Sequence, residues 1–163
     1  MRVLAVTAAT LALASVAGAA PPRAGLFVPG VSLGGLRIGM TKPQVRAAWG
    51  SGYGVCRGCA DLTWYFNYRP YHPEGAGVTF RRGHVVAVFT HWAPAGWHTP
   101  GQLTIGDPSA LVAQRYDALP PTTCGSYTVV DVVRLNLINA FYVVNDKIWG
   151  FGMTTGRVAP CLP

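Results

Sequence analysis

The pattern of apolar and polar positions switches from a helical to an extended period twice along the chain. The first helical stretch begins with Thr41 and Gln44, which have the spacing of a capping box, and with Pro43, whose missing amide costs nothing in a first turn. These signals predict a helix over residues 42–49. A second helix is predicted to begin at an aspartate N-cap, Asp107, and to end before a pair of prolines.

After each helix the residues alternate as they do in antiparallel strands. The predicted strands cover residues 62–68, 78–81, 84–92, 127–134, 138–144 and 147–154, with tight turns at positions 82–83 and 145–146. If the first turn has two residues, one face of that hairpin is apolar and is predicted to be core: Val78, Phe80, Val85, Ala87 and Phe89. The opposite face is mixed and predicted to meet solvent: Thr79, Arg81, His84, Val86, Thr90 and Trp92.

A weak self-similarity relates the two halves of the chain. Five positions in the first half recur at a constant spacing in the second, where Gly34, Leu36, Ile38, Gly39 and Val45 become Gly101, Leu103, Ile105, Gly106 and Val112. The sequence therefore predicts an α+β fold of two tandem helix-plus-antiparallel-sheet repeats, stabilised by disulfides. The predicted bounds are an N-terminal segment 20–33, a first unit 34–92, a linker 93–100 and a second unit 101–163.

The N-terminus and the cysteines indicate an oxidising compartment. Residues 1–19 have a basic start, a short apolar run and a small-residue cleavage site, which predicts a signal peptide and a secreted chain that does not span a membrane. The four cysteines are expected to form two disulfides. Of the three possible connectivities, Cys56–Cys59 with Cys124–Cys161 is favoured because it keeps one bridge within each unit.

Charge and candidate catalytic groups exclude several classes of function. The net charge is +7, but the basic residues are scattered rather than clustered, so nucleic acid is not expected as a partner, whereas an acidic partner stays open. The four histidines lack a metal-binding spacing, and the six acidic residues fall mainly in loops, caps and turns. We therefore expect a non-catalytic protein with no cofactor and no metal site.

The pair Cys56 and Cys59 is the strongest enzymatic signal. A redox C-x-x-C motif opens a helix, where the thiol pKa is lowered. Here the motif follows a glycine-rich break and precedes a strand. A structural bridge is the preferred interpretation, and a thiol oxidoreductase is kept as a third hypothesis.

Aromatic residues provide the candidate binding site. Transferring the face assignment of the first hairpin to the second places Tyr142, Trp149, Phe151 and Met153 on the outer face of the second sheet. The predicted contact surface consists of Tyr142, Trp149, Phe151 and Trp92, with Arg81, Arg82 and His84 at its rim. The alternatives are a second sheet with the opposite register and packing of these rings between the units.

Residues 34–41, GGLRIGMT, with Val45, and the weaker stretch 103–107 with Val112, carry a resemblance to a known family. The pattern resembles the β-lactamase inhibitor protein family, and also the small lipoprotein of the outer-membrane β-barrel assembly machinery, which has one such unit. The resemblance implies that the free concave sheet face binds a protein, and suggests an extracellular hydrolase as the inhibited partner. The short helices, the basic charge and the C-x-x-C bridge depart from that family. The second hypothesis is a cell-envelope glycan-binding module.

Overall fold

The computed structural model describes residues 24–69, 71–156, 159 and 161 of the chain. The predicted signal peptide lies outside the described residues. Twelve elements follow one another: β1 Phe27–Val28, β2 Ser32–Leu33, α1 Lys42–Trp49, β3 Gly54–Val55, β4 Leu62–Asn67, β5 Gly75–Arg81, β6 His84–His91, α2 Ala110–Arg115, β7 Thr122–Cys124, β8 Tyr127–Arg134, β9 Leu137–Val144 and β10 Lys147–Thr155. Within the described ranges, no helix has the length and apolar character that a membrane crossing requires.

A single eight-stranded antiparallel sheet dominates the fold, in the order β3-β4-β5-β6-β10-β9-β8-β7. Strands β6 and β10 pair at its centre, where Phe89 lies opposite Gly152 and Val88 opposite Met153. This pairing removes the strand edges that two separate sheets would have exposed. The expected α+β fold of two tandem units is therefore wrong, since the protein is mostly β with one continuous sheet and two short helices.

One face of the sheet carries the main hydrophobic core, which draws residues from both halves of the chain. The small β1–β2 hairpin, both helices and the segment that contains Trp97 cover this face. The largest fully buried side chains in it include Trp49, Trp97, Phe27, Phe66, Phe141 and Phe151. Because these residues come from every part of the described chain, neither half has a separate core.

The first helix agrees with its sequence signals and the second does not. Helix α1 spans the predicted residues, and the Thr41 amide donates to Oε1 of Gln44 at 2.8 Å as the capping box requires. Helix α2 is shorter, with Ser109 rather than Asp107 at its N-cap. The Asp107 carboxylate instead accepts from the amide of Thr104 at 2.8 Å, so it closes the preceding turn.

A β-bulge in the β5–β6 hairpin decides which of its side chains face the core. In the β5–β6 hairpin Phe80 pairs with Val85 but Thr79 pairs with Ala87, which leaves Val86 as the extra residue. Beyond this bulge the two faces exchange, because a shift of one residue reverses every side chain. Ala87 and Phe89 therefore lie on the face opposite the main core, so their predicted core placement is wrong. Val78, Phe80 and Val85 lie in the main core, as predicted.

Four short strands had no prediction. Strands β1, β2, β3 and β7 have two or three residues each, too few to show an alternating pattern. Strands β3 and β7 form the two edges of the sheet. Their shortness limits the unpaired backbone that an edge presents to other chains.

Candidate functional site

An aromatic groove of about 500 Å³ lies on the face opposite the main core. It crosses the strands from β4 to the β7–β8 turn. We call it the aromatic groove and define it by its lining residues: Tyr65, Asn67, Pro73, Phe89, His91, Trp92, Ser126, Tyr127, Val144 and Trp149. Its volume falls in the range of small-molecule sites, which are concave and mostly apolar with a few polar groups.

Glycines make room for the rings on this face. A Cβ at Gly77 would run into the ring of Phe89, and a Cβ at Gly152 would run into the hydroxyl of Tyr142. Both glycines lie in central strands of the sheet, where a missing side chain allows a neighbouring ring to lie flat on the backbone. Phe89 and Tyr142, with Val129 and Ala140, form a second buried cluster under the groove.

A bulge in β10 positions the most prominent ring of the groove. Ile148 pairs with Val143 and Gly150 with Tyr142, so Trp149 is the extra residue of the strand. A bulged residue is re-aimed relative to its neighbours. The Trp149 ring lies edge-to-face against Trp92 with centroids 6.2 Å apart, and its centroid is 6.4 Å from that of Tyr127.

Trp92 is the exposed member of this set. It follows β6 directly, has a positive φ of 59° and keeps 60% of its surface exposed. A large ring held in water by a backbone conformation that few residues adopt is typical of a contact residue. Trp92 and Trp149 therefore form an open aromatic wall.

His91 lies at the bottom of the groove, and its imidazole is uncharged. It is 7% exposed, and its ring centroid lies 5.3 Å from Tyr65 and 6.3 Å from Phe89. Burial lowers the pKa of His91 to about 4, and the nearby backbone of Ala76 and Pro73 opposes this shift only in part. The imidazole is neutral at physiological pH, and its Nε2 has no hydrogen-bond partner among the described residues.

Two further groups on this face have raised pKa values. Burial first, and then the nearby Tyr127 and Asp131, raise the pKa of the Tyr142 phenol well above its usual range. Burial also raises the pKa of Asp131, whose Oδ1 lacks a partner within the described ranges. Both groups lie under the groove rather than in its lining.

The structure divides the predicted contact surface. Trp149 and Trp92 line the groove, whereas Tyr142 lies on the same face but is only 3% exposed. Phe151 and Met153 pack in the main core, with 0% and 1% exposure, so their placement on the outer face is wrong. The error originates in the bulges, which a transfer of hairpin positions does not detect.

The predicted rim residues Arg81, Arg82 and His84 lie elsewhere. They belong to the turn at the opposite end of β6 from Trp92, about 26 Å away along the strand. Arg81 pairs with Asp61 through Nη2 and Oδ2 at 2.5 Å. The Nδ1 atom of His84 lies 3.0 Å from the carbonyl of Gly39, so it ties the turn to the segment before α1.

Sequence reasoning missed most of the groove lining. The sequence predicts Phe89 in the core, and no binding role is predicted for Tyr65, His91 or Tyr127. The signal that identifies the face is a cross-strand pair of an aromatic residue and glycine, as in Phe89 with Gly77. This pairing can be identified only when the position of the bulge at Val86 is known.

Both favoured disulfides are present, Cys56–Cys59 and Cys124–Cys161. The first closes the connection between β3 and β4, where the amide of Cys56 donates to the carbonyl of Thr63 at 2.9 Å. The described part of the chain starts no helix at this bridge, so the helix N-terminus that lowers the thiol pKa in redox C-x-x-C motifs is missing. Within the same ranges, His, Cys, Asp and Glu form no group suited to a metal ion.

Comparison with known proteins finds structural likeness only. No protein-family model and no curated protein matches the chain. A crystal structure of an extracellular protein containing a SCP domain from Bacillus anthracis matches with a TM-score of 0.56 and 12% identity, covering 74% of this chain and 44% of that one. A cysteine-rich secretory protein from Staphylococcus aureus matches with a TM-score of 0.53 and 13% identity, covering 84% and 49%.

These matches correct the resemblance drawn from sequence. The chain spans about half the length of the solved structures it matches, and at this identity the likeness extends to the fold alone. The expected kinship with the β-lactamase inhibitor proteins and with the small assembly lipoprotein is wrong, since the similar structures belong to a different group of extracellular proteins. One of these proteins is extracellular and the other secretory, which together with the two disulfides agrees with the predicted secretion.

Proposed function

We propose that this protein is a secreted, non-catalytic binding protein that takes its ligand into the aromatic groove. The observation that carries the proposal is the wall formed by Trp92 and Trp149, in which a 60% exposed indole projects beside a concave space of about 500 Å³. Exposed aromatic surface in a concave site is typical of ligand contact. The similarity to a cysteine-rich secretory protein supports an extracellular setting.

The composition of the groove supports binding without catalysis. Among the described residues, the lining contains no carboxylate, and its one basic side chain is the neutral imidazole of His91. Ser126 is the one serine or threonine among the described lining residues, and within the described ranges its hydroxyl donates no hydrogen bond to an imidazole or a carboxylate. A nucleophile needs such a base to be activated.

The shape of the site favours a ligand that enters a groove over a flat protein partner. The expected protein contact depended on four rings in one open patch, and Tyr142 and Phe151 are buried. What remains is a concave space of small-molecule dimensions. Inhibition of an extracellular hydrolase is therefore not part of the proposal, and the hypothesis of a glycan-binding module is preferred to it.

Affinity capture tests the proposal. The secreted, disulfide-bonded protein is immobilised and exposed to culture supernatant and to solubilised cell-wall material. The wild type and the control variant Tyr71→Ala, which alters a fully exposed ring outside the groove, are expected to retain the same material. The double variant Trp92→Ala/Trp149→Ala is expected to lose it, and equal retention by all three proteins contradicts the proposal.

A further inference from the structure

The aromatic groove differs in charge from the molecule that contains it. The chain carries a net charge of +7, yet none of the described residues that line the groove is Lys, Arg, Asp or Glu. A charged ligand placed there would lose part of its hydration and find no counter-charge in the described lining, which is unfavourable. The lining therefore selects an uncharged ligand.

The rings of the groove provide stacking surfaces rather than a closed apolar cavity. Trp149 is half-buried and Trp92 exposed, and Tyr127 lies beside Trp149 with its ring tilted by 30°. The face of an aromatic ring carries partial negative charge. A sugar ring presents C–H bonds with partial positive charge on its flat faces and hydroxyls around its edge, so it matches such a surface.

Neutral polar groups at both sides of the groove complement a hydroxylated ligand. Asn67 ends β4 and Ser126 lies in the β7–β8 turn, so the two exposed side chains are on opposite sides of the groove with four strands between β4 and β8. An amide and a hydroxyl both donate and accept hydrogen bonds, as sugar hydroxyls do. At the base of the groove, the buried Nε2 of His91 lacks a partner among the described residues. The spread of these groups across the strands favours an elongated ligand.

The sheet argues against an extended peptide as the occupant. The floor of the groove is made of internal strands whose backbone groups pair with their neighbours, and the edge strands are β3 and β7. A peptide therefore cannot add to the sheet there. Its own N–H and C=O groups would lie against rings and remain unpaired.

We infer that the aromatic groove binds a run of uncharged sugar rings, stacked on Trp92 and Trp149 with their hydroxyls directed to Asn67 and Ser126. The inference rests on the proposed binding function and names its ligand class. It identifies the ligand by chemistry: a neutral oligosaccharide or a neutral stretch of an envelope glycan.

Titration calorimetry with defined oligosaccharides tests the inference. Two probes are neutral, cellotetraose and fully N-acetylated chitotetraose. An anionic polysaccharide, polygalacturonate, serves for comparison. At least one neutral probe is expected to bind the secreted, disulfide-bonded chain, with affinity that does not change between low and high salt because no ion pair forms. Trp92→Ala and Trp149→Ala are each expected to weaken binding at least 10-fold, whereas Tyr71→Ala leaves it unchanged. Trp92 is exposed, so its variant keeps the test valid even where Trp149→Ala unfolds the protein.

Each other outcome has a separate meaning. The inference is overturned if neither neutral probe binds, if both tryptophan variants bind as the wild type does, or if the anionic polymer alone binds and is released by salt. If no neutral sugar binds but other material is captured in a tryptophan-dependent manner, the sugar inference is wrong and the proposed binding function stands. Recovery of a cleaved oligosaccharide contradicts the non-catalytic function itself.

Discussion

The two faces of the eight-stranded sheet use similar residues for different purposes. The core face packs Phe66, Phe141 and Phe151 under the helices and the N-terminal hairpin. The opposite face also carries aromatic rings, but these lie on glycines and border a groove that no described element covers. The number of aromatic residues therefore does not distinguish a core face from a contact face. The residue paired with each ring on the neighbouring strand does distinguish them.

Truncating one ring on each face gives the largest expected difference. Phe151→Ala removes a fully buried side chain and is expected to cost about 3–5 kcal/mol in the free energy of unfolding. Trp92→Ala, at 60% exposure, is expected to cost less than about 1 kcal/mol. Urea denaturation measures both, and equal losses would contradict the division into core and contact faces.

The two disulfides lie at opposite edges of the sheet and differ in the length of chain that they close. Cys124 packs against the cluster under the groove, and its bridge to Cys161 spans 37 residues, for which chain entropy predicts about 4 kcal/mol. The Cys56–Cys59 bridge spans 3 residues and is expected to contribute about 2 kcal/mol. Thermal unfolding of the two paired Cys→Ser variants compares them. A larger loss for the short bridge would show that the Cys124 anchor does not support this face.

Acid is expected to destabilise the protein through His91. Its pKa is about 4 in the folded state against 6.5 when unperturbed, so between these values the unfolded chain binds a proton that the folded chain refuses. Stability is therefore expected to fall by up to about 3 kcal/mol as pH drops from 6.5 to 4, and to show no His91 contribution above 6.5.

Comparison with a variant isolates this effect. Asp131 acts with the opposite sign because its raised pKa favours the protonated folded state. Asp131 is present in both proteins, so subtracting the pH curve of His91→Gln from that of the wild type removes the Asp131 contribution. The control is His72→Gln, which alters a 46% exposed side chain. If His91→Gln follows the same pH curve as the wild type, the imidazole at the base of the groove is not shielded from water.

Glycine substitutions give the smallest effect and the most local one. Gly77→Ala and Gly152→Ala place a methyl group against Phe89 and Tyr142, and each is expected to cost about 1–3 kcal/mol. Gly54→Ala is the matched control in edge strand β3, with nothing within 4 Å of the new methyl and an expected change within about 0.5 kcal/mol. Equal effects at all three positions would contradict the flat packing of rings on the sheet.

Much of the secondary structure follows from local signals in the sequence. The capping box around Thr41 gives α1 correctly, and alternation gives the long strands to within a few residues. The pairing of β6 with β10 does not follow from it, because contact between distant strands leaves no local pattern.

The site was only half predictable for a related reason. The sequence predicts Trp92 and Trp149 as contact residues, and the structure places both in the lining of the groove. The same prediction puts Phe151 on the wrong face and does not identify Phe89 or His91 as groove residues. The bulges at Val86 and Trp149 cause these errors, since a single inserted residue reverses a face without any change in residue type.

The five tryptophans allow the most direct test of the account. Trp49, Trp64 and Trp97 are at most 3% exposed on the core face, whereas Trp92 and Trp149 line the groove. Indole N–H resonances of the ¹⁵N-labelled protein are followed by NMR during titration with the neutral oligosaccharides. Shifts confined to Trp92 and Trp149 are the predicted result. Five unchanged resonances, or shifts confined to the three buried indoles, would contradict a binding site on the open face.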